Sequence, residues 1–171
     1  MDTATTQQHV QDGRADFDFI IGRWNVHHRR LRERLKGSTA WEAFEGTTVD
    51  RSILGGLGNI GEATVDRASG PLNLISMRLF DPALQQWSVY FANSAQGTLT
   101  IPSLGGFTQG RGAFYAHEVF EGKPIFSRLI WSDITATSCR WEQAFSTDGG
   151  RTWETNWIME LTRQQEEQPP H

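Results

Sequence analysis

The chain has 171 residues, enough for one domain with its own core. Seven Trp and ten Phe against two Tyr make a heavy apolar aromatic load, and a formal charge of −4 excludes a global attraction to nucleic acid or to acidic membrane surfaces. The lone Cys139 excludes an internal disulfide, and no stretch reaches the ~18 consecutive apolar residues of a membrane helix.

The first fourteen residues are polar and lack the apolar segment of a secretory signal, so the cytoplasm is the expected compartment. Residues 1–15 and 164–171 carry no hydrophobic period and are expected to be disordered tails around a single domain at residues 16–163. That domain opens on Asp16-Phe17-Asp18-Phe19-Ile20-Ile21, a short helical turn with Asp16 as its N-cap, closed by Gly22.

A first strand is expected over residues 24–35. Its parity is awkward: Trp24, Val26, His28, Arg30 and Arg32 share one face, while Leu31 and Leu35 fall on the other. Either a bulge sits near residues 28–30, or the Trp24 face is a partly polar interior. Alternation then places strands at residues 41–50, 59–67, 72–80 and 86–92, with a hairpin loop at Asp81-Pro82-Ala83-Leu84-Gln85. The Gly- and Thr-rich stretch 95–110 holds one weak strand, at residues 98–101. Strands at 111–120, 125–134, 138–145 and 152–163 complete the set. About nine or ten short strands joined by tight turns, with no amphipathic helix, predict an all-β fold: a single antiparallel up-and-down β-barrel, with a sandwich as the other arrangement.

Several motifs reduce to structure. Gly56-Leu57-Gly58-Asn59-Ile60-Gly61 matches G-x-G-x-x-G, but the six β-like residues that follow end at Ser69-Gly70-Pro71, leaving no helix to meet a pyrophosphate. Ser146-Thr147-Asp148-Gly149-Gly150-Arg151-Thr152-Trp153 resembles the Asp-box of sialidase-like propellers. A single copy in a chain this short reads as a braced hairpin turn. The basic run His27, His28, Arg29, Arg30, Arg32, Arg34 and Lys36 splits between two faces of a strand and has Glu33, Glu42 and Glu45 nearby, which suits a solvated exterior; His28 and Arg30, in phase with Trp24, would point inward. No histidine pair has local metal spacing, and only a meeting of His28 with His117 across the barrel would change that. Cys139 reads as a buried packing thiol.

Gly22-Arg23-Trp24 opening the first strand, and the meander as far as Thr162, resemble a calycin-type barrel, the group of lipocalins, fatty-acid-binding proteins and nitrobindin-like proteins. The combination of residues 17–35, Ile53 to Asn59, Met77-Arg78-Leu79-Phe80-Asp81-Pro82 and Arg140-Trp141-Glu142-Gln143-Ala144-Phe145 more closely resembles an uncharacterised bacterial family of calycin-like barrels, over nearly all of residues 16–163. The resemblance implies a lumen for an apolar or amphipathic small molecule. Nitrobindin-like proteins imply haem on a late-strand His, but this chain has no His between His117 and His171, so no cofactor is expected.

A ten-stranded barrel is wider than its side chains fill, so some tryptophans should line a cavity. The expected site is an aromatic lumen with polar side chains that orient a carboxylate: Trp24, His28, Arg30, Arg78, Trp87, Tyr115, Trp131, Trp141 and Gln143. The expected partner is a small molecule, with neither nucleic acid nor membrane. One alternative is a small enzyme using His28 or Glu142 as acid or base. Another is an interaction protein with a solid core and a contact surface at Trp41 or Phe107, which would suit a homodimer.

Overall fold

The structure, a computed structural model, describes residues 12–166; of the tails expected at residues 1–15 and 164–171, residues 1–11 and 167–171 lie outside the described residues. Ten antiparallel strands follow in chain order: β1 (Gly22–Leu31), β2 (Trp41–Ile53), β3 (Gly58–Arg67), β4 (Gly70–Asp81), β5 (Gln86–Asn93), β6 (Ser103–Thr108), β7 (Arg111–Phe120), β8 (Lys123–Ser132), β9 (Ser138–Ser146) and β10 (Glu154–Arg163). Each pairs with the next, and β10 closes on β1, so the meander is a closed up-and-down barrel. The sandwich is excluded by that closure.

β1 resolves its own parity problem without a bulge. It pairs in unbroken register with β2 from Gly22↔Asp50 to Leu31↔Trp41, and with β10 from Trp24↔Arg163 to Arg30↔Trp157. Trp24, Val26 and His28 are buried, and the residues between them are exposed or half-buried. The Trp24 face is therefore a partly polar interior. β1 stops at Leu31, four residues earlier than expected, because Leu35 takes a left-handed φ of 59° and the chain turns back.

The weak strand expected at residues 98–101 is a correction: the sixth strand lies at Ser103–Thr108. Thr100 only touches β5, donating its N–H to the Phe91 carbonyl at 2.8 Å and accepting the Phe91 N–H on its hydroxyl at 3.0 Å. The Gly105-Gly106 pair that reads as loop lies inside β6 because β7 comes so close that any side chain at 105 would strike the Ala113 backbone.

One end of the barrel is closed by the N-terminal segment. Two 3-10 turns, Gly13–Ala15 and Asp18–Ile20, carry Phe17 and Ile20 into the core. Residues 13–15, placed by their composition in the tail, are docked: the Trp87 indole donates to the Gly13 carbonyl at 3.1 Å, and the Gly13 N–H donates to the Gln85 side chain at 3.1 Å. The Phe17 ring is the centre of the plug. It lies 4.8 Å from Phe107, 5.0 Å from Trp87 and 5.4 Å from Phe114, in edge-on and stacked arrangements that favour aromatic pairs. Phe107 thus points into the core and cannot form the contact surface suggested for it.

Arg163 bolts the plug down. Its guanidinium lies 4.2 Å over the Trp24 ring and donates to the carbonyls of Phe19 at 2.7 Å and Ile21 at 2.6 Å. The Trp24 indole N–H reaches the Ile20 carbonyl at 2.7 Å. Gly22 has φ 129°, and a side chain there would collide with the Arg163 guanidinium. The Gly-x-Trp opening is thereby explained: glycine for the conformation and the space, tryptophan for the floor.

An Arg163→Met variant should lose about 2 kcal/mol in urea unfolding. Its Asp16, Ile20 and Ile21 amides, which hydrogen-bond within the two turns, should exchange faster with solvent. Exchange as slow as in the unaltered protein would mean that the plug is held by its aromatics alone.

Candidate functional site

The plug fills only one end. Above it the interior opens into a cavity of about 680 Å³, within the range of small-molecule sites. Its mouth lies between the β3–β4 hairpin (Ser69, Gly70, Pro71) and Ala95, Gln96, Thr98 and Thr100 after β5. The opening follows from pairing: β5 and β6 share only the three pairs from Trp87↔Gly105 to Val89↔Ser103, so the outer half of β5 lacks a full ladder on that side.

Of the nine residues expected at the site, six line this cavity together: His28, Arg30, Arg78, Trp131, Trp141 and Gln143. Trp24 and Trp87 are also inward but sit beneath it, almost fully buried in the plugged end. Tyr115 lies on the outer face of β7, about half exposed, with its ring 6.3 Å from that of Trp153. Glu142, expected as an acid or base partner of His28, is also on the outer face and is bound by Arg140 at 3.3 Å. It therefore does not share the lumen with His28. His117 likewise faces outward, against Phe126, and does not meet His28.

The lumen has a polar centre and a basic rim. At the centre Arg78, on β4, donates one nitrogen to Asp50 at 2.8 Å and Asn59 at 2.7 Å, and the Thr48 hydroxyl donates to Asp50 at 2.8 Å. The Arg78 charge is thus matched within the barrel, as a buried ion requires. His28 stacks on Phe44, with centroids 4.7 Å apart and planes 11° from parallel. Its Nδ1 accepts the Trp157 indole N–H at 3.1 Å. An indole can only donate, so the proton of the neutral imidazole lies on Nε2. Burial lowers the His28 pKa to about 4, with Glu45 opposing and His27 adding to the shift.

The rim holds Arg30, Arg34 and Arg67. Arg67 is paired with Glu42 at 2.9 Å. Arg34 enters from the β1–β2 loop and lies over the rings of Phe120 at 4.7 Å and Phe145 at 5.4 Å. Arg30 lies 5.2 Å over Trp157 and makes no hydrogen bond or ion pair among the described residues; its Nε is buried. Burial, then the charges of Arg34 and Arg67, pull the Arg30 pKa down to about 10, with Glu42 as a weak counterweight. The other half of the basic run is the solvated exterior: His27 pairs with Glu45 and Arg29 with Glu160.

Chain periodicity missed Trp157, Met159, Arg34 and Arg67 as lining residues. Trp157 and Met159 were legible in principle, being in phase with Leu161 on β10 and paired with Arg30 and His28. Cys139 is a packing thiol, pushed up to about 12 by burial. The Ser146 to Trp153 turn is a brace: Asp148 accepts from the Arg151 and Thr152 amides and the Thr152 and Ser146 hydroxyls, and the Trp153 indole closes on the Gly150 carbonyl. Gly56 to Gly61 runs from a 3-10 turn into β3, and β4 follows with no intervening helix.

No protein-family model matches the chain, and no curated protein matches it. Solved structures do resemble it. Rv2717c from M. tuberculosis is 12% identical, with 86% of this chain and 94% of that chain covered and a TM-score of 0.57. The S-type phycobiliprotein lyase CPES from Guillardia theta is 7% identical, with 88% and 92% covered and a TM-score of 0.58. At these identities the likeness speaks for the fold alone, the closed barrel described above.

The His28 environment sets a pH dependence. Its folded-state pKa of about 4 lies below the unfolded value of ~6.5, so the unfolded chain takes up the proton first as pH falls. This contribution to stability is whole above pH ~6.5 and is lost on the way down to about 4, on the order of 3 kcal/mol in all. Urea midpoints measured across that window should fall less steeply for His28→Gln than for the unaltered protein; parallel slopes would assign the loss to other groups.

Proposed function

We propose that the protein binds an amphipathic small molecule carrying an anionic group, with the apolar body in the lumen and the anion at Arg30. The observation that carries this reading is a guanidinium at the rim of a closed barrel that no carboxylate bonds: Glu42, across from Arg30 in the register, is bonded to Arg67. Of the five charged side chains lining the cavity, Arg78 and Asp50 neutralise one another and Arg67 is held by Glu42. Arg34 is enclosed between two rings, with Glu118, Glu121 and Glu154 in its surroundings. Arg30 combines burial and two like-charge neighbours with no hydrogen-bond acceptor, and the one carboxylate near it, Glu42, is taken by Arg67, so a bound anion would relieve a cost that the folded chain carries. The walls suit the rest of such a molecule: Leu72, Leu74, Phe91, Trp141, Met159 and Leu161 are apolar.

Because Trp131, Trp141 and Trp157 line the cavity, intrinsic fluorescence reports its filling. Dodecanoate should change the emission, and Arg30→Met should weaken it by about 10- to 100-fold, the equivalent of a charge-assisted hydrogen bond. Dodecanol should bind both proteins alike, and Tyr115→Ala should bind dodecanoate as tightly as the unaltered protein. A series of aliphatic and aromatic carboxylates that leaves the emission unmoved, or an Arg30→Met variant with undiminished affinity, would sink the proposal.

A further inference from the structure

The inward face of β9 reads Cys139, Trp141, Gln143, Phe145: an apolar stripe interrupted by one carboxamide. Gln143 lines the cavity, yet its side chain makes no hydrogen bond among the described residues, and its Oε1 is buried without a partner. Leaving an amide in that condition is unfavourable, where Leu or Met would fill the position at no such cost. The position is not arbitrary. Trp157 on β10 pairs with Arg30 of β1 on one side and with Gln143 of β9 on the other. The Trp157 ring is pinned by its bond to His28 and lies beneath the Arg30 guanidinium. One indole therefore separates an unmatched cation from an unmatched carboxamide.

We infer that the lumen reads two points on its ligand: the anionic group at Arg30, and an uncharged hydrogen-bonding oxygen, a carbonyl or hydroxyl, at Gln143. The ligand class is then an oxygenated amphipathic anion, such as an oxo- or hydroxy-carboxylate, and not a plain hydrocarbon acid. This rests on the anion-binding reading above. β1 and β9 are two strand spacings apart and their side chains converge inward, so the two groups on the ligand lie at most ~10 Å from one another. Rotation of the Gln143 carboxamide lets it donate to a carbonyl or accept from a hydroxyl.

The test is a carbonyl scan: dodecanoate against a series of oxododecanoates with the carbonyl moved two carbons at a time, titrated into the full chain by calorimetry. One position should bind about 10-fold more tightly than dodecanoate, as one added neutral hydrogen bond allows. Gln143→Met, close in volume, should abolish that optimum and leave dodecanoate within about threefold. Gln143→Asn, one methylene shorter, should shift the optimum along the chain, which a merely structural role would not do. Arg30→Met should weaken the whole series. Binding without an optimum, or an optimum that survives in Gln143→Met, overturns this inference and leaves the anion site standing. Failure of every carboxylate to bind the unaltered protein overturns both.

Discussion

Closing ten strands into one barrel encloses more volume than inward side chains fill, and the rest of the molecule follows from how that volume is divided. One end of it is filled by a plug. The N-terminal segment brings Phe17 and Ile20 into the end where Trp24, Trp87, Phe107 and Phe114 converge, and all but the partly buried Phe107 are almost fully buried there. The other end stays open because β5 parts from β6 after three pairs. The aromatic load seen in composition is therefore two populations. Trp24 and Trp87 give their indole N–H groups to plug carbonyls, whereas Trp141, Trp157 and the upper edge of Trp131 face the cavity.

Polarity inside the barrel divides in the same way. The Arg78, Asp50, Asn59 and Thr48 cluster is internally matched. Such buried pairs contribute little net stability against an apolar replacement, but losing one member leaves an uncompensated charge. Arg78 is for this reason a poor first choice to hold an anion, although it lines the cavity: an incoming carboxylate would compete with Asp50. Arg30 has no such competitor. Two arginines on the same inner surface thus have opposite characters, decided by where the carboxylates bond: Asp50 takes Arg78, whereas Glu42, across from Arg30 in the register, bonds Arg67 instead.

The barrel was legible in the sequence because its strands are short, alternating and separated by turns, and because Gly22-Arg23-Trp24 has a mechanical meaning. β7 falls at residues 111–120 in both readings. β6 was not legible, since its Gly105 serves a close approach of β7 that only the fold reveals. For the site, phase on β1 was enough to turn His28 and Arg30 inward. Tyr115 was misplaced relative to the lumen because alternation on β7 does not say which parity is interior, and the exposed Tyr115 set against Phe114 at no exposure settles it. Arg34 was not legible at all, because a loop carries it back over the barrel.

That loop is positioned by an irregularity in β10. The register with β9 slips between Thr155 and Trp157, with Asn156 as the extra residue. Without the slip, Trp157 and Thr155 would share the inner face. With it, Trp157 and Glu154 are both inward, paired with Gln143 and Phe145. Glu154 then accepts the Leu35 N–H at 2.8 Å, which holds the β1–β2 loop where Arg34 covers Phe120 and Phe145. The slip has a cost: Asn156 is fully buried, and neither side-chain polar atom has a partner among the described residues. A fold that needed only a hydrocarbon lumen would gain by removing it. Its retention makes sense if the row Arg30, Trp157, Gln143 and the loop bearing Arg34 have to be presented together, which ties the least favourable residue of the barrel to the most chemically capable part of it.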